Sequence, residues 1–235
     1  RAVDTFGDVK MGDVGGWIED EKCLSRDGGA WIYGNAQVYG NAQVSGDAQV
    51  YDDTQIYGNA QVYGDARVYG NAQVSGNARV CGDAQVYGDA RVYGNARVYG
   101  NARVCGNAWV YGDAQVYGNA RVSGNARVYG DAQVCGDAQV CNGAWITSTG
   151  SVLVVGPIGS RMDFTTFYRG KEKEVMVRCG CFNGPMGEFL EKVKKTHGDG
   201  KYARAYQAAA ETAEVQIGMQ DAGGAGSIKN AERSM

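Results

Sequence analysis

The chain has 235 residues, with 23 basic against 26 acidic side chains and a formal net charge of -3. That balance gives no overall pull toward nucleic acid or an anionic membrane. With 37 Gly, only 2 Pro and 44% hydrophobic residues, the composition excludes both a disordered chain and collagen, and no apolar run approaches the roughly 20 residues of a membrane helix.

Residues 1–14 are polar and glycine-punctuated and read as an entry segment. No signal-peptide pattern opens them, and a start at Arg1 leaves room for residues upstream. From Gly15 the text Gly-Gly-Trp-Ile anticipates the later Gly-Ala-Trp-Ile. Ile18 to Leu24 is a six-residue step and Leu24 to Ile32 an eight-residue one, so two extra residues around Asp27-Gly28 bulge out of a first, imperfect coil. Trp17 and Leu24 are expected to close that end, which would otherwise expose apolar core and unpaired strand edges.

Tyr33 to Ile146 is a single six-residue phrase, [Tyr/Ser/Cys]-Gly-[Asn/Asp]-Ala-[Gln/Arg]-Val, repeated over 114 residues as 19 hexads. A short fixed period marks a solenoid whose repeats touch only their neighbours. Ala, Gln/Arg, Val and Tyr run as four extended residues, so Ala and Val share the inner face while Gln/Arg and Tyr point out. Gly and Asn/Asp form the corner, because a sharp bend needs residues that tolerate positive φ. At Tyr51–Ile56 the phrase becomes Tyr-Asp-Asp-Thr-Gln-Ile, read as tolerated variation.

After Ile146 the period fades, and Val152 to Ile158 is predicted as the last coil. Phe164–Tyr168 and Glu174–Cys179 read as a hairpin about Gly170. Residues 187–197 carry Phe189, Leu190 and Val193 at helical spacing and end at Gly198. Residues 201–215 form an alanine-rich second helix, followed by a glycine-rich tail. The predicted organisation is therefore an entry segment (1–14), a solenoid with its first coil (15–158), a small α+β domain (159–217) and a flexible tail (218–235).

The phrase Val-x-Gly-Asn-Ala-x resembles the hexapeptide repeat of left-handed parallel β-helix proteins, in which three hexads make a triangular coil. The resemblance implies an all-β solenoid, left-handed, with residues 18 apart stacked at the strand spacing of about 4.8 Å; 19 hexads then make about six coils. From Gly-Gly-Trp-Ile-Glu near the start to Cys-Gly-Cys-Phe and Lys-Lys-Thr-His-Gly near the end, the chain also resembles hexapeptide-repeat proteins of bacteriophage and prophage genomes. That likeness implies origin in a bacterial host cell and supplies no activity.

Many hexapeptide-repeat β-helices are acyltransferases, which the resemblance makes the enzymatic alternative. Such enzymes use a histidine base and commonly a loop that interrupts the coils. Here the 19 hexads pass with neither, and the single histidine of the chain is His197. Three histidine ligands for a carbonic-anhydrase-type metal are lacking. His197 precedes Gly198 at a helix C-terminus, where a cation complements the dipole, and this reading outweighs pairing with Cys179 or Cys181 as a thiol and base. Asp47, Asp65 and Asp83 stack at one corner and read as solvated carboxylates rather than a cation site. No catalytic residue, metal or cofactor is expected.

Cys81, Cys105, Cys135 and Cys141 hold the outward first position of their hexads. Cys105 and Cys141 lie two coils apart in one column, Cys81 and Cys135 three coils apart in another, beyond the roughly 7 Å reach of a disulfide. Free thiols in a reducing cytosol are expected.

One outward column differs from the rest. Gln37, Gln55 and Gln73 give way to Arg91, Trp109, Arg127 and Trp145, beside Tyr93, Tyr111 and Tyr129. Guanidinium stacked on indole stabilises by about 0.5–2 kcal/mol, so this ladder reinforces the rod. Exposed Trp, Tyr and Arg are also the residues of interface hot spots, and could stack on sugars or bases. Arg91, Tyr93, Trp109, Tyr111, Arg127, Tyr129 and Trp145 are therefore the candidate binding strip. The sequence predicts a non-enzymatic structural or binding scaffold in the cytoplasm, engaging a protein or copies of itself, with neither membrane nor nucleic acid as partner. A counter-defence protein that sequesters a host factor or small signal is the alternative within the binding class.

Overall fold

The computed structural model describes residues 2, 6 and 8–218. It divides into two compact units, Arg1–Thr149 and Gly150–Met235.

The first unit is a parallel β-solenoid. Its strands are mostly two residues long and pair across a step of 18 residues into three parallel sheets of eight, six and seven strands. We call these faces I, II and III. Face I runs from Trp17–Ile18 to Trp145–Ile146, face II from Gln43–Val44 to Gln133–Val134, and face III from Trp31–Ile32 to Gln139–Val140. The expected inside and outside hold through the strict repeat from Tyr33 to Ile146. Ala36, Val38, Ala60, Val62, Ala90, Val92, Ala126 and Val128 are fully buried, whereas the Gln/Arg and Tyr positions are half-buried or exposed. Backbone N–H groups of one coil donate to carbonyls of the next. On face I, Gln37 donates to Thr54 at 2.9 Å, Arg91 to Ala108 at 2.9 Å and Arg127 to Ala144 at 2.9 Å.

The corners explain the recurrent glycine of the phrase. Gly88, for example, has φ 71, and an added Cβ would lie 3.1 Å from the backbone nitrogen of Gly106 in the next coil; the position needs both left-handed backbone and no side chain. Asp52 breaks the rule with φ 58 and compensates by accepting the Gly70 N–H on Oδ2 at 2.9 Å. The buried Thr54 beside it donates its hydroxyl to the Gly70 carbonyl at 3.4 Å. The altered phrase at 51–56 thus carries its own hydrogen bonds.

The next corner residue does more than tolerate a bend. Asn41, Asn59, Asn77 and Asn95 each donate a side-chain amide N–H to the residue 18 ahead, ending on the Asp113 carboxylate at 2.9 Å. Asn101 and Asn119 do the same up to Asp137. Asparagine both donates and accepts and so propagates the ladder, whereas an aspartate can only end it. Asp47 is taken up differently, accepting the Gly29 N–H at 2.8 Å.

The first coil corrects one expectation. Its two-residue insertion is present: Trp17 pairs with Gln37 and Leu24 with Val44, a step of 20, before Trp31 pairs with Gln49 at the regular 18. Trp17, however, is 71% exposed and closes nothing, while Trp31 is only 8% exposed. Trp31 packs with Ala2 and Val9 and with the partly buried Phe6, Leu24 and Tyr33, and Phe6 meets its indole edge-on at 5.7 Å. Part of the 1–14 entry segment therefore supplies this apolar cover, with Leu24 in the expected role. Gly16 lies so close to the next turn that a Cβ would meet the Ala36 carbonyl at 2.5 Å.

The second correction concerns Val152–Ile158. It is not a coil but the first strand of a four-stranded antiparallel sheet, followed by Asp163–Arg169, Val175–Cys179 and Phe182–Pro185. The solenoid unit accordingly ends near 149 rather than 158. The hairpin about Gly170 forms as expected, with Phe167 opposite Val177; the Phe182–Pro185 strand lay outside the sequence reading. Helices α1 (Met186–His197) and α2 (Lys201–Gly218) pack on the sheet through Phe189, Val193, Tyr206, Ala210 and Ala213. Gly198 ends α1, its N–H donating to the Lys194 carbonyl. Helix α2 runs three residues beyond its predicted end at 215, and the tail from 219 lies outside the described residues.

Candidate functional site

The strip on face I is assembled by register alone. Arg91 pairs with Trp109, Trp109 with Arg127 and Arg127 with Trp145, each one strand further along the sheet. The Arg91 guanidinium sits 5.2 Å from the Trp109 ring centroid, that of Arg127 lies 4.9 Å from the same ring, and Arg127 also covers Trp145 at 5.4 Å. Two residues along the chain, Tyr93, Tyr111 and Tyr129 stack in parallel at 4.9 and 5.0 Å, with interplanar angles of 1° and 2°. The two columns are tied together where Tyr93 meets Trp109 edge-on at 6.4 Å and Tyr129 meets Trp145 edge-on at 6.3 Å. All seven residues predicted as a strip are therefore contiguous. Arg91 is exposed and the other six are half-buried.

Burial raises the Tyr93 phenol above its ordinary value, partly offset by Arg127 and Arg91. The phenol is thus a hydroxyl donor at neutral pH. Tyrosine stacks also run along the other corners, Tyr69 on Tyr87 at 4.8 Å and Tyr99 on Tyr117 at 5.0 Å. Where a cysteine follows a tyrosine in a column, the thiol perturbs the phenol. Tyr87 is pushed up to about 12, first by its hydrogen bond with Cys105 and then by burial. Tyr63 with Cys81 and Tyr117 with Cys135 move in the same direction. All seven cysteines are free thiols.

The thiol and base considered from the sequence are not joined. Cys179 Sγ accepts from Thr165 Oγ1 at 3.3 Å and donates to Tyr206 Oη at 3.8 Å. The His197 ring packs on Tyr202 and Tyr206, with centroids at 5.8 and 6.2 Å. Tyr206 is pushed up to about 12, chiefly by burial and then by Cys179. These contacts join α1, α2 and the sheet. No group of His, Cys, Asp or Glu suited to a metal ion occurs among the described residues.

The arrangement defines a class, the parallel β-solenoid built on hexapeptide repeats. Within that class, the chain is similar to the YdcK Beta solenoid repeat over residues 36–52, 60–73, 72–88, 84–100, 96–112, 114–130 and 121–136. No curated protein matches the sequence. Among solved structures, a Bacillus cereus protein described as a candidate acetyltransferase aligns over 88% of this chain and 100% of its own. Its identity is 11% and its TM-score 0.26, an overlap that transfers nothing about activity.

Proposed function

We propose that this protein is a non-enzymatic β-solenoid scaffold that engages a protein partner, or further copies of itself, through the Arg91–Trp145 strip. The supporting observation is the local departure from the repeat. Face I carries Gln37, Gln55 and Gln73 in one half and Arg91, Trp109, Arg127 and Trp145 in the other, on the same backbone ladder. Glutamine meets the needs of the sheet at that position, so the arginines and tryptophans are not required to build it. They are residue types concentrated at interface hot spots. The likeness to phage and prophage hexapeptide proteins supports a bacterial host cell as the setting. No helix among the described residues is long and apolar enough to cross a membrane.

The test compares wild type with a Trp109→Gln/Trp145→Gln double variant in light scattering and in pull-downs from the host. Self-association or capture of a defined protein that weakens in the variant, at unchanged circular dichroism, supports the strip. Equal behaviour of the two proteins removes it. Acetyl-CoA that raises the melting temperature of the wild type would favour the divergent acyltransferase instead.

A further inference from the structure

The geometry of the strip narrows what can occupy it. Trp109 has a guanidinium from each flanking strand over its ring, and Tyr111 lies between Tyr93 and Tyr129. At the centre of the strip both faces of each ring are already covered, so a base or sugar has no open platform there. Stacking does not consume the in-plane N–H donors of a guanidinium, which remain directed away from the ring.

Those donors have no carboxylate partner. The ion pairs Lys22–Asp20 and Arg26–Glu21 lie in the first coil, away from the strip. The nearby corner carboxylates Asp89 and Asp113 accept amide N–H groups from Asn71 and Asn95. Arg91 and Arg127 are therefore two cations on one face without an ion-pair partner among the described residues, separated by two strand spacings, or about 10 Å.

We propose that the strip's occupant is an acidic protein segment whose Asp or Glu carboxylates meet the outward edges of Arg91 and Arg127 while its backbone lies along the tyrosine column. This rests on the strip being a binding surface and names the chemistry it selects. Charge complementarity sets the class of partner, and the covered ring faces disfavour the stacked bases of a nucleic acid.

Fluorescence anisotropy of labelled poly-L-glutamate against the full chain tests it, with oligo-dT as the rival probe and about 0.5 M salt as a screening control. The variant is Arg91→Gln/Arg127→Gln, which restores the residue found at 37, 55 and 73. Arg79→Gln/Arg97→Gln removes the same charge from face II, where those two arginines are paired in register. Wild type is expected to bind poly-L-glutamate in a salt-sensitive way, the face I variant about tenfold or more weakly, and the face II variant like wild type. Absent binding, equal loss in both variants, or tighter binding of oligo-dT overturns the inference. A captured partner that depends on Trp109 and Trp145 but is not displaced by poly-L-glutamate overturns this chemistry alone. Capture indifferent to the strip overturns the binding surface itself.

Discussion

Replacing Trp109 by Gln removes the one ring in the strip that carries two guanidinium contacts, at 5.2 and 4.9 Å, and one edge contact to Tyr93 at 6.4 Å. At about 0.5–1 kcal/mol for each partly exposed cation–π contact and about 0.5 kcal/mol for the aromatic pair, the loss is about 1.5–2.5 kcal/mol. Trp145→Gln removes one of each kind of contact and should cost about 1–1.5 kcal/mol on the same scale. Arg127 touches both indoles and Arg91 one, so Arg127→Gln should cost about twice as much as Arg91→Gln. Because Trp109 and Arg127 share a contact, their double variant should cost less than the sum of the two. Urea unfolding at constant m-value, or hydrogen exchange of the face I amides, reads this ranking. Equal costs for Trp109 and Trp145, or a double variant that is strictly additive, would refute the picture of one continuous stack.

The corner ladder predicts that Asn77→Ala, which breaks the bonds from Asn59 and to Asn95, lowers stability by about 1 kcal/mol. Asn77→Asp should cost more at neutral pH, since a carboxylate then faces the Asn95 carbonyl oxygen; chemical denaturation distinguishes the two. Gly88→Ala, with φ 71 and the Gly106 nitrogen 3.1 Å from the new Cβ, should cost about 2–3 kcal/mol. Gly136→Ala, with φ 63 but no atom within 4 Å, should cost only about 1 kcal/mol, a contrast that thermal unfolding resolves. The Tyr87 phenol is raised to about 12, so the protonated form is favoured by folding. Its stabilisation is complete below the ordinary phenol value of about 10 and is lost as pH rises from about 10 to about 12. Ultraviolet phenolate titration should show Cys105→Ala returning this tyrosine toward its ordinary value, and an unchanged curve would exclude the thiol as the leading cause.

Much of this architecture is legible because a strict period converts sequence spacing directly into space. Once residues 18 apart stack, the order Arg91, Trp109, Arg127, Trp145 specifies the ladder before any coordinate is known. Legibility fails where the period ends or where a side chain has two uses. Val152–Ile158 is an apolar run that can be taken for a last coil, and only its antiparallel partner Asp163–Arg169 reveals a different sheet. Trp17 and Trp31 stand in similar Trp-Ile pairs, and what separates them is the chain segment around Ala2 and Val9 that folds over one and not the other. The asparagine ladder was hidden because Asn and Asp are interchangeable as bend residues yet differ as donors. The covered faces of Trp109 and Tyr111 are set by ring orientation, which alternation does not encode.

The most direct test of the strip is photo-crosslinking in the host cell, with a benzophenone amino acid placed at Tyr111 on face I or at Tyr63, an exposed tyrosine that ends a face II strand. A discrete adduct from position 111 that is absent from position 63, and that disappears when Arg91 and Arg127 are changed to Gln, is the predicted result. Adducts of equal yield from both positions, or from position 63 alone, would contradict it.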